Sequence, residues 1–134
     1  MSVIDEHLEY LNSVKFDKQL KKLNKKLKGK TIVIYGTGIL FQKILKHYDL
    51  SKLNIIGVSD RRFSLEQNGD NCLGFKIIPL ERINDYEPDY VLIATLKFLS
   101  ILDNFRTVIF KNTKTKVLPL VDKPFLTLLK EIFE

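Results

Sequence analysis

The stretch TIVIYGTGILFQKILKHYDLSKLNIIGVSD, residues 31–60, reads as strand, glycine turn, helix and second strand, and the rest of the chain is arranged around it. Residues 31–35 are short, β-branched and apolar, the pattern of a parallel strand covered on both faces. Gly36, Thr37 and Gly38 form the turn. Leu40, Phe41, Ile44, Leu45 and Tyr48 then recur at helical spacing, with Lys43 and Lys46 on the opposite face. Residues 54–59 form the second strand, and Asp60 stands at its end.

Such a βαβ unit offers a specific chemistry. Turn glycines let the backbone approach a phosphate, and the free N–H groups at the helix start favour an anion. An acid about 20 residues further on can accept hydrogen bonds from ribose hydroxyls, the place Asp60 takes. The pattern G-x-G-x-x-G/A puts a small residue at position 41, where this chain has Phe41. A benzyl group there is expected to push the helix outward or to swing aside, altering the phosphate cradle.

The 134 residues suffice for one domain with a core. Cys72 is the single cysteine, so no internal disulfide forms, and no secretory signal precedes Asp5 and Glu6. No apolar run reaches the length of a membrane span. A cytoplasmic location is therefore expected. The net charge of +6 is concentrated in residues 15–30, where eight lysines face one acid, Asp17. Phe16, Leu20, Leu23 and Leu27 give this segment a narrow apolar stripe, and Gly29 ends it. Val3, Ile4, Leu8, Leu11 and Val14 indicate a helix before it. The division expected is an N-terminal helical extension, 1–29, and a nucleotide-binding domain, 30–134. Three readings compete for the lysine face. The plainest is a solvated face whose stripe packs on the sheet or another subunit; the second is contact with an anionic membrane surface. Nucleic acid is disfavoured because no aromatic side chains interleave with the lysines.

Beyond Asp60 come Arg61 and Arg62, of a kind able to meet a phosphate or stack on a purine, and a polar segment, 64–71, that reads as a mobile loop. A short strand, 74–78, leads through Pro79 into a short helix, 80–84. DYVLIAT, 89–95, is a buried strand; residues 96–111 have helical spacing, and 115–121 form the last strand. Asp122 caps a final helix carrying Phe125, Leu128, Leu129, Ile132 and Phe133. Alternating strands and helices imply an α/β fold with a parallel sheet of order 3-2-1-4-5, helices on both faces, and a ligand crevice at the carboxyl ends of the strands. Gly36, Thr37, Gly38, Asp60, Arg61, Thr95 and Lys97 converge on that crevice. The plainer readings are a helix cap for Thr95 and a solvated side chain for Lys97.

The runs IVIYGTGILFQKIL, IIGVSDRR, GFKIIPLERI and DYVLIAT, in this order, resemble the Rossmann-like domain of bacterial surface-sugar biosynthesis. That domain is similar to the nucleotide-sugar-binding front half of sialic-acid and bacillosamine-type sugar acyltransferases, and to CoA-binding Rossmann domains. The resemblance covers about residues 30–120. It implies a single three-layer Rossmann-like domain preceded by helices, with Gly36 and Gly38 as the turn glycines, Asp60 as the acid after the second strand and Gly74 as the glycine of the short strand. No hexapeptide-repeat segment follows Leu120, so the acyl-transfer part and its catalytic histidine are not expected.

Catalytic residues are scarce. His7 and His47 fall away from the crevice without a partner by position, Cys72 has no neighbouring base, and no metal-ligand spacing occurs. Tyr48 and Lys52 have the spacing of a dehydrogenase pair but sit at the wrong end of the first crossover helix. The leading expectation is a nucleotide or nucleotide-sugar binding module beside a separate enzyme of glycan assembly, with NAD and CoA as further candidate ligands. The alternatives are a sugar-modifying transferase or dehydrogenase-like enzyme completed by homo-oligomerisation, and an interaction module whose crevice has lapsed.

Overall fold

The computed structural model describes residues 5–95, 101–103, 105, 109–110 and 113–122. Its helices are α1 (Glu6–Ser13), α2 (Phe16–Lys26), α3 (Ile39–His47) and α4 (Ile83–Tyr86), and its strands β1 (Thr31–Tyr35), β2 (Asn54–Ser59), β3 (Asn71–Cys72), β4 (Phe75–Lys76), β5 (Tyr90–Ile93) and β6 (Lys116–Pro119). Four strands form a parallel sheet in the order β2-β1-β5-β6. This is an α/β fold.

Because side chains alternate across a strand, the sheet divides the core in two. Ile32, Ile34, Tyr90 and Leu92 join α1, α2 and α3 in one buried cluster. Val33, Tyr35, Val91 and Ile93 face a second cluster with Ile83 of α4 and Phe105. The apolar stripe of α2 lies in the first cluster: Phe16, Leu20 and Leu27 are buried and Leu23 packs against them. The helices of residues 5–27 thus share their core with the sheet. Asp5 caps α1 by accepting from the His7 and Leu8 N–H groups, and its carboxylate also meets Lys43 of α3 at 2.7 Å.

Of the expected order 3-2-1-4-5, the four long strands follow the expected succession as β2-β1-β5-β6, while the outer strand, 74–78, is not a member of the sheet. Residues 74–78 do not add a full fifth strand, because β4 turns back on β3 as an antiparallel hairpin. Leu73 and Gly74 both have positive φ, 55° and 85°, as a two-residue hairpin turn requires, and Asn71 Oδ1 accepts from Gly74 N–H. Only a single parallel bridge, Val58 to Ile77, remains, with the Ile78 N–H donating to Val58 O at 2.9 Å. The segment expected to be a mobile loop is also organised: Ser64 and Gln67 form a capping box over a 3-10 turn, Leu65–Gln67. The helical expectation for 96–111 is met at Ile101, Leu102 and Asp103, while most of that segment and the final helix after Asp122 lie outside the described residues.

A register shift between Ile32 and Val33 sets Gly57 opposite Val33. Ile78 then closes over Gly57 so tightly that an added Cβ would stand 2.5 Å from Ile78 Cδ1 and 2.8 Å from Lys76 O. The side chain can turn away; the carbonyl cannot. Replacing Gly57 with alanine is expected to lower stability by about 1–3 kcal/mol through overpacking, read as a lower urea midpoint with an unchanged slope.

Candidate functional site

The carboxyl ends of β1, β2 and β5 meet around the turn Gly36-Thr37-Gly38. Gly36 has φ +113°, and a Cβ there would stand 2.8 Å from Thr95 Cγ2 and 3.2 Å from Ala94 O, so glycine is needed for β1 and β5 to end side by side. Its N–H donates to Ser59 O at 2.8 Å. Gly38 is the N-cap of α3, has no side-chain cap bond, and has open space where a Cβ would be. The first N–H groups of α3 therefore have no side-chain cap from position 38.

Thr37 is 1 % exposed and is held by Asp60. Its N–H donates to Asp60 Oδ2 at 2.8 Å and its hydroxyl to the same oxygen at 2.7 Å. Burial pushes the Asp60 carboxyl up, but the two Thr37 bonds, the Arg62 N–H and the Arg62 charge together bring it below its ordinary 3.8. Asp60 thus stands beside the Gly36-Thr37-Gly38 turn, with one oxygen committed to fastening it.

The arginine that reaches this turn is Arg62. Its Nη2 donates to Thr37 Oγ1 at 2.9 Å and lies 4.0 Å from Cys72 Sγ, and its guanidinium carbon sits 5.1 Å from the centre of the Phe63 ring. Nε and Nη1 of Arg62 have no recorded bond among the described residues. Both arginines are exposed residues, and Arg61, named from the sequence, acts on Tyr35 instead. Burial and the Asp60 charge raise the Tyr35 hydroxyl, and Arg61 opposes them. An Asx turn explains the difference, since Asp60 Oδ1 accepts from the Arg62 N–H at 3.3 Å and folds the residue two positions on back over the acid. A D-x-R reading of Asp60, Arg61 and Arg62 carries that signal.

Phe41 is fully buried in one cluster with Ile32 and Ile34, its ring 6.2 Å from that of Phe75 on the hairpin. Thr95 lies against Gly36, and Lys97 is outside the described residues. The Ser59 hydroxyl is buried at this edge without a hydrogen-bond partner among the described residues. Tyr48 packs edge-on against Phe16 at 4.9 Å, its hydroxyl pushed up by burial first and Asp17 second, which gives its spacing to Lys52 a packing explanation. His7 lies on α1 and His47 on the last turn of α3. Among the described residues no cluster of His, Cys, Asp and Glu could hold a metal ion.

Residues 28–114 match the family described as C2185-like, N-terminal. The chain belongs to that family. The C2185-like region runs from the end of the basic segment past β5 and so contains the whole of the Gly36, Asp60 and Arg62 arrangement. No curated protein and no solved structure matches the chain.

Proposed function

We propose that this chain is a nucleotide or nucleotide-sugar binding module, cytoplasmic and accessory to a separate enzyme of glycan assembly, whose ligand places a phosphate at the start of α3. The observation that carries this reading is the pairing of an uncapped helix start and open space at Gly38 with a fixed guanidinium beside it. Backbone N–H groups and an arginine fork are the two donor types that suit phosphate oxygens. Thr37 and the Phe63 ring hold the guanidinium in place, so little rotamer entropy is lost when it binds. In this reading Asp60 fastens the turn with one oxygen and offers the other to a ribose hydroxyl.

The enzyme alternative draws less support, since neither histidine is near the turn. The order of the sheet also bears on the Rossmann-like reading: β2-β1-β5-β6 reverses direction from β1, and the turn after β1 is where ligands of open α/β sheets sit.

Titration calorimetry with nucleoside diphosphates, nucleotide-sugars, NAD and CoA tests this. At least one is expected to bind in the micromolar range, about −8 kcal/mol or weaker. Gly38→Val is the decisive variant. Nothing lies within 4 Å of the new Cβ and the backbone there is extended, so the fold is kept and only the phosphate's volume is filled. Loss of binding with a near-unchanged melting temperature is the expected result. Binding equal to the parent's would place the ligand elsewhere, and no binding by the parent would favour the interaction-module reading.

A further inference from the structure

The eight lysines of residues 15–30 are all exposed. Lys18, Lys21, Lys22, Lys25 and Lys26 recur at helical spacing and form one face of α2, which at 11 residues is about 16 Å long. The opposite face is committed to the core. Neither ion pair recorded among the described residues involves these lysines. The helix cannot swing away from the body, because Gln19 grips the backbone of Asp122 beyond β6, donating to its carbonyl at 2.8 Å and accepting from its N–H at 2.7 Å. The result is a rigid, nearly uniform cationic face on a chain whose remaining charges are close to balanced.

We propose that this face docks the protein peripherally on an anionic lipid surface. Two observations favour lipid over nucleic acid. The face contains lysine and no arginine, which suits diffuse attraction to a charged plane better than forked recognition of individual phosphates. Lys22 and Lys26 also border a groove of about 280 Å³ whose other walls are Gln19, Leu23, Leu118, Pro119, Leu120 and Asp122. Its leucines and proline give that mixed lining an apolar part that suits the glycerol region of a lipid and has no counterpart in a phosphodiester backbone. Among the described residues no helix is long and apolar enough to cross a membrane, and Phe16, Leu20 and Leu27 of the α2 stripe are buried, so the attachment is mainly electrostatic. It is independent of the nucleotide site.

Flotation with vesicles of phosphatidylcholine, with and without phosphatidylglycerol, tests the proposal. The protein is expected to float with the phosphatidylglycerol vesicles only, and to be released by raised salt. A variant with Lys21, Lys22, Lys25 and Lys26 all changed to glutamate is expected to partition about a hundredfold less or weaker still, with an unchanged circular dichroism spectrum. Should that variant misfold, the change of the same residues to glutamine and the salt titration of the unmodified protein read the same attraction. Failure to float with anionic vesicles, equal flotation of a folded charge variant, or tighter binding to a DNA duplex than to the vesicles overturns it.

Discussion

Phe41→Ala is expected to destabilise the protein by about 3–5 kcal/mol, the range for emptying a buried phenylalanine site. The side chain is 0 % exposed and lies in one cluster with Ile32, Ile34 and Ile44, and its ring faces Phe75 of the hairpin. Three elements therefore lose contacts together: the first turn of α3, the sheet beneath it and the β3–β4 hairpin. Collapse around the cavity is limited because the strands are fixed by their ladder. The glycine-turn pattern points the other way. A small residue is what G-x-G-x-x-G/A has at this place, and by that rule alanine would be an improvement. Chemical denaturation decides between the two: a midpoint lowered with constant slope supports the packing role, and a neutral or stabilising change would mean that the hairpin does not rest on this ring.

The same residue shows what the sequence reveals. Its departure from the glycine pattern was visible; its resolution was not, because the compensating partner, Phe75, lies on a hairpin whose turn begins with leucine. Leu73 at positive φ is an uncommon choice, so the turn carries only its Gly74 as a signal, and the segment reads more readily as one strand. The parallel strands were legible because short apolar runs alternating with helical periods admit few arrangements. The stripe of α2 was legible for the same reason. Within the site, the glycine turn and Asp60 follow from the position of the unit, whereas the choice of Arg62 over Arg61 depends on a backbone turn that spacing alone does not express.

Asp60→Ala is expected to weaken ligand binding and the fold together. Without the carboxylate, the Thr37 N–H and hydroxyl, buried at the turn, lose their acceptor. An unsatisfied buried donor costs about 1–3 kcal/mol, and the partial exposure of Asp60, which lets water replace it in part, places the expected loss of stability toward the lower end. The loss in binding should be larger. Thr37 is also what holds Arg62, so the variant releases the guanidinium together with the turn and removes two phosphate-binding groups by one substitution. A fall in nucleotide affinity of about tenfold or more is expected, each tenfold being 1.4 kcal/mol. Asp60→Asn separates geometry from charge, since an amide oxygen still accepts from the Thr37 N–H. The sign of its pH dependence is fixed. The Asp60 carboxyl is held below its ordinary 3.8, so its stabilising contribution is complete above that value and is lost as the pH falls through the depressed one. The stability gap between the parent and Asp60→Asn should therefore be constant near neutrality and close below about pH 3.8. A gap that persists unchanged into acid would show that the Asp60 charge does not fasten the turn, and the pre-set position of Arg62 would then need another cause.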